Sequence, residues 1–82
     1  MFIGAAKNQF KGVFTWDTYI VTLNDDGMEK YTKYKTFKHT LKGTNAGVMT
    51  NNAKKWINKK IAAESKKAGK YIVSELKDYS FD

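Results

Sequence analysis

Residues 10 to 23, FKGVFTWDTYIVTL, are dense in β-branched and aromatic side chains and hold no proline. Such residues fit a pleated, half-buried surface, so the run predicts one long strand, or two short ones meeting near Asp17. Residues 24 to 27, NDDG, supply a turn. Asp25 and Asp26 can bond the local backbone and Gly27 tolerates positive φ, which predicts a hairpin. The returning strand is then EKYTKYKTFKHTLK, residues 29 to 42. Strict alternation places Tyr31, Lys33, Lys35, Phe37 and His39 on one side, and Lys30, Thr32, Tyr34, Thr36 and Lys38 on the other. Neither side is cleanly apolar. That is the pattern of an exposed or edge strand, where lysine also discourages sheet-to-sheet aggregation.

A loop is expected from about Leu41 to Met49, because KGTNAG combines two glycines with small polar residues. The stretch lacks the lysine and hydroxyl that complete a phosphate-cradling loop after its second glycine, so it reads as a connector. Thr50 or Asn51 is the expected helix N-cap before NAKKWINKKIAAESKKA. Along that helix Ala53, Trp56, Ile57, Ile61 and Ala68 share one face, and Lys55, Lys59 and Lys66 share another. Trp56 therefore reads as a core residue. Gly69 sits where a C-terminal cap is expected, with lysines before it that suit the helix dipole.

The last segment, KYIVSELKDYSFD, fits two periods. Ile72, Ser74 and Leu76 alternate as in a strand, whereas Ala68, Ile72 and Leu76 would also continue the helix. Gly69 and the Tyr-Ile-Val run favour a strand over residues 71 to 76. The predicted fold is α+β: a small antiparallel sheet of about three to four strands packed against one amphipathic helix, in one domain spanning residues 1–82.

Composition changes this picture in two respects. At 82 residues with no cysteine, a single modest core must hold the domain without disulfides. No apolar run is long enough to span a bilayer, and MFIGAAKNQF lacks the basic leader and apolar core of a signal peptide, so a cytoplasmic protein without a membrane partner is expected. Charge is the stronger signal. Residues 29 to 70 hold twelve lysines against two glutamates, a local balance of +10 within a chain of net +7. A concentrated field of one sign steers association with anions, and neutralising phosphates releases counterions. A lysine-rich solubilising surface is the competing explanation. All fifteen basic residues are lysine, so the bidentate arginine contact to guanine is missing and phosphate binding is favoured over base readout.

Catalytic chemistry finds little support. His39 stands alone, and the acids are scattered rather than paired or spaced as metal ligands. Asp25 and Asp26 lack calcium-loop spacing. A non-enzyme with no cofactor and no bound metal is expected.

The order FKGVFTWDTYIVTLNDDGMEKYTKYKTF, then TNNAKKW, resembles the three-stranded sheet plus helix of integrase arm-binding domains and of the plant ethylene-response type of DNA-binding domain. The resemblance covers roughly residues 10 to 63 and rests on Gly12, Trp16, Tyr19, the Asp26-Gly27 turn, Lys30, Phe37, Thr50, Ala53 and Trp56. It implies a sheet face that lies in the DNA major groove. About a dozen added residues separate Phe37 from Thr50, and the base-reading arginines of those families are missing.

Two function classes follow. In the first, the protein is a small basic nucleic-acid-binding module with little base specificity. Lys30, Lys33, Lys35 and Lys38 contact phosphates, Tyr31 or Tyr34 packs on sugar or base, and Lys55 and Lys59 extend the surface onto the helix. Single strands would stack on the tyrosines, and a duplex would take the hairpin in a groove. In the second, it is a small phage-type inhibitor or interaction protein, of the counter-defence kind such as anti-CRISPR or anti-restriction proteins, that docks on an acidic protein or nucleoprotein surface.

Overall fold

The computed structural model describes residues 9–82. Strand β1 (Phe10–Leu23) and strand β2 (Glu29–Gly43) form a long hairpin, helix α1 (Ala46–Ala68) follows, and strand β3 (Tyr71–Phe81) closes the chain. The sheet is antiparallel throughout with order β2-β1-β3, so two strands precede the helix and the third follows it. Among the described residues this is the expected α+β sheet with one helix, and it has three strands.

Residues 10 to 23 form one strand, not two, with irregularities beside Asp17. Pairing with β2 shifts between Asp17 and Tyr19, and pairing with β3 shifts between Thr15 and Trp16. The first shift changes the reading of β2. Asp17 pairs with Thr36 and Tyr19 with Lys33, so Tyr34 and Lys35 together face Thr18 alone. One extra residue reverses the alternation beyond it. Tyr34, Phe37, His39 and Leu41 therefore share the helix side, and Tyr31, Lys33, Thr36 and Lys38 share the open side. The strict alternation predicted from sequence fails at this bulge.

The turn is made by Asn24 rather than by the aspartates. Its side-chain oxygen accepts from the Asp26 and Met28 amides, both at 3.0 Å. Gly27 takes φ 80, a left-handed conformation in which a side chain would be strained.

The predicted loop over 41 to 49 is also corrected. β2 continues to Gly43, and the helix starts at Ala46 with Asn45 as its N-cap, in place of Thr50 or Asn51. The Asn45 side chain accepts from the Val48 amide at 3.0 Å. Met49, buried at 2% exposure, anchors the added first turn on the sheet. At the other end Gly69 adopts φ 67 and its amide donates to the Ser65 carbonyl at 2.8 Å, the expected left-handed cap. With the helix ended there, residues from Tyr71 pair with β1 as a strand, which extends beyond the predicted 71 to 76 to Phe81.

The core lies between the helix and one sheet face. Phe14, Trp16, Ala53 and Ile57 are buried at its centre, with Phe37, Leu41, Trp56, Ile61 and Phe81 packed against them. Trp56, expected in the core, is partly buried at its edge, where it stacks on Trp16 at 5.7 Å and on His39 at 4.2 Å. Each fully buried side chain of this size contributes about 1.5–3 kcal/mol. With so few of them the domain has little stability to spare.

Candidate nucleic-acid interface

Two buried carboxylates organise the charge. Asp17, 3% exposed, sits on the open sheet face. It accepts from the Thr36 hydroxyl at 2.9 Å and pairs with Lys33 at 3.3 Å and Lys77 at 3.4 Å. The Thr36 hydrogen bond first, and the two ammonium groups with it, hold its carboxyl below the ordinary value of 3.8 against the opposing effect of burial. Glu64, 8% exposed, faces the sheet from the helix. It accepts from the Tyr34 hydroxyl at 2.8 Å and from Lys35 at 3.3 Å. The Tyr34 bond leads in lowering its carboxyl below 4.5, with Lys35 and Lys67 adding to it, and the Lys35 ammonium is raised in return.

These networks sort the predicted site residues. Lys33 and Lys35 are partners of buried acids, and Tyr34 is half-buried with its hydroxyl committed to Glu64. Lys30 and Lys38 are exposed and take part in no ion pair among the described residues. Tyr31 is 55% exposed on the open face, where its hydroxyl donates to Glu29 at 2.6 Å. That bond keeps the phenol above its ordinary 10.0. Lys55 and Lys59 are exposed on the helix side away from the sheet, since helical spacing sets them opposite the buried line of Met49, Ala53, Ile57 and Glu64. The eight residues thus divide between the open sheet face (Tyr31, Lys33 and Lys38), the helix side of β2 (Lys30, Tyr34 and Lys35) and the outer helix (Lys55 and Lys59).

A larger pattern connects the last two. Lys60 lies over the Phe37 ring of β2, 5.9 Å from its centroid, and Lys67 acts on Glu64 alongside Lys35. The helix side above β2 is therefore basic where it meets a basic edge strand. β2 carries five lysines against Glu29 alone, and the helix six against Glu64 alone, which is buried. The opposite edge, β3, holds Glu75 and Asp78 against Lys77. Sequence reasoning missed Lys60 and Lys67, although their helical spacing toward Trp56 was a usable signal. It also missed Tyr19 and Tyr71, which join Tyr31 on the open face only through the strand pairing.

Among the described residues there is no cluster of histidine, cysteine and acids able to hold a metal ion, and no helix long and apolar enough to cross a membrane. No protein-family model, curated protein or solved structure matches this chain.

Proposed function

We propose that the protein binds nucleic acid through its phosphates, with little base specificity, along a basic flank formed by the β2 edge strand, with Lys38 on its open side, and the exposed sides of the helix. The observation that carries this reading is the uneven charge of the molecule: exposed lysines concentrate on β2 and α1, whereas β3 holds Glu75 and Asp78 against Lys77, and Asp25 and Asp26 lie in the hairpin turn. A dipolar protein of this kind orients toward a polyanion as well as being attracted to it. Lysines without an acidic partner, such as Lys38, Lys55 and Lys59, keep their full charge for phosphates. Those committed to Asp17 and Glu64 contribute less.

The test is a salt titration of binding to duplex DNA. The slope of log affinity against log salt changes by about 0.9 for each phosphate neutralised, so Lys38→Gln, Lys55→Gln and Lys59→Gln each flatten it by up to that amount. Binding indifferent to salt, or no binding, refutes the proposal. The second reading, a small inhibitor or interaction protein, draws on Leu23 and Met28, which stand 70% and 65% exposed at the hairpin end. Apolar side chains so placed suit a protein partner. A salt-sensitive complex with an acidic protein, without nucleic-acid affinity, would favour it.

A further inference from the structure

The sheet face away from the helix carries an aromatic patch that the basic flank does not account for. Val21 pairs with Tyr31 on one side and Tyr71 on the other, and Tyr19 pairs with Lys33 and Val73. Directly paired residues share a face, so three tyrosines from three strands meet on one surface. Tyr31 and Tyr71 are 55% and 66% exposed on either side of Val21, and Tyr19, half-buried, lies two residues along β1 from it. A depression of about 310 Å³ opens there, lined by Tyr19, Tyr31, Val73, Ser74 and Glu75. Its walls are aromatic and aliphatic, with a polar rim.

We propose that this depression takes an unpaired nucleobase from a single strand whose backbone follows the basic flank. The inference rests on the phosphate-binding reading above and narrows its ligand to single-stranded nucleic acid. Diagonal neighbours such as Tyr31 and Tyr19 have backbones about 7–8 Å apart, within reach of aromatic side chains, so both rings border the depression and a planar base entering it has a ring to stack on. Stacking on such rings is indifferent to sequence because every base has a π-face. Charge sets the direction of the strand. Glu29 and Glu75 repel phosphate from the tyrosine side, whereas Lys33, whose ammonium is 3.3 Å from Asp17 and whose side chain is 58% exposed, borders the patch toward the β2 edge. A duplex has no free base to offer and gains nothing from this site.

The experiment compares a fluorescently labelled oligo(dT) strand with a duplex of the same length by anisotropy at matched salt. The wild type is expected to prefer the single strand, and Tyr31→Leu and Tyr19→Leu, which each remove a ring lining the depression, to weaken single-strand binding by roughly tenfold while leaving duplex binding within about twofold. Tyr31→Phe keeps the stacking face and loses only the bond to Glu29, so it is expected to retain affinity. Tyr31 is exposed and Tyr19 half-buried, and circular dichroism checks that the variants fold. Lysine variants that flatten the salt slope, together with tyrosine variants that leave single-strand affinity unchanged, overturn this inference and spare the broader reading. Absence of binding to either nucleic acid overturns both. A shift in oligomeric state by sedimentation in Tyr31→Leu, with single-strand affinity intact, would assign the face to a second copy and overturn the base site.

Discussion

The Thr18 hydroxyl spans the β2 bulge at Lys35: it accepts from the Lys35 amide at 3.0 Å and donates to the Lys35 carbonyl at 2.6 Å. Thr18 is fully buried, so this one side chain satisfies the backbone polar groups that the extra residue removes from the ladder. The bulge in turn directs Lys35 and Tyr34 to Glu64 and leaves Lys33 for Asp17.

Thr18→Val keeps the shape and removes the hydroxyl. Leaving buried backbone groups unpaired costs about 1–3 kcal/mol, and Thr18→Ser should recover most of it. Chemical denaturation of the two variants measures the difference. Equal stability of Thr18→Val and the wild type would show that water or a shifted register replaces the bond.

The helix start is tested by Asn45. Asn45→Ala removes the cap on the Val48 amide and is expected to cost about 1 kcal/mol, whereas Asn51→Ala, exposed within the helix, should be near neutral or slightly favourable. Paired thermal melts separate the two. A larger loss at Asn51 would return the cap to the later position.

Acid should unfold the protein through Asp17 and Glu64. Both carboxyls lie below their ordinary values, so the folded state binds their protons more weakly than the unfolded chain. Their contribution is complete above the ordinary carboxylate range and is lost as pH falls through the folded values. Melting temperature is expected to hold steady between about pH 7 and 5 and to drop below about pH 4. Asp17→Asn should flatten that drop, and an unchanged acid profile in this variant would remove Asp17 from the explanation.

The lysines should separate by partner. Lys33→Gln with Lys35→Gln strips ammonium groups from two buried carboxylates and is expected to lower the melting temperature. Lys55→Gln with Lys59→Gln alters exposed charge alone and should stay within about 0.5 kcal/mol of the wild type while flattening the salt dependence of binding. Melts and salt titrations of the two double variants provide the comparison. Equal stability of both would show that the ion pairs contribute nothing to folding.

The elements themselves were legible in the chain. β-branched and aromatic density announced β1, Gly27 marked the turn, and the Ala53, Trp56, Ile57, Ile61 spacing gave the packed helix face. Gly69 separated α1 from β3 because a left-handed cap is a local backbone requirement. The concentration of positive charge was equally plain, since lysine content needs no fold to be counted. What depended on tertiary structure was direction. The bulge opposite Thr18 reverses the faces of β2, and no local pattern marks it, because it arises from the pairing of two strands. Asn45 outcompeted Thr50 as cap because Met49 could bury against the sheet, a gain invisible to capping preference alone. The sequence likewise listed five tyrosines, but only the β2-β1-β3 order placed Tyr31, Tyr19 and Tyr71 on one face and turned Tyr34 inward to Glu64. Periodicity is fixed by each segment's own backbone, whereas the face a side chain shares with residues fifty positions away is fixed by which strands pair.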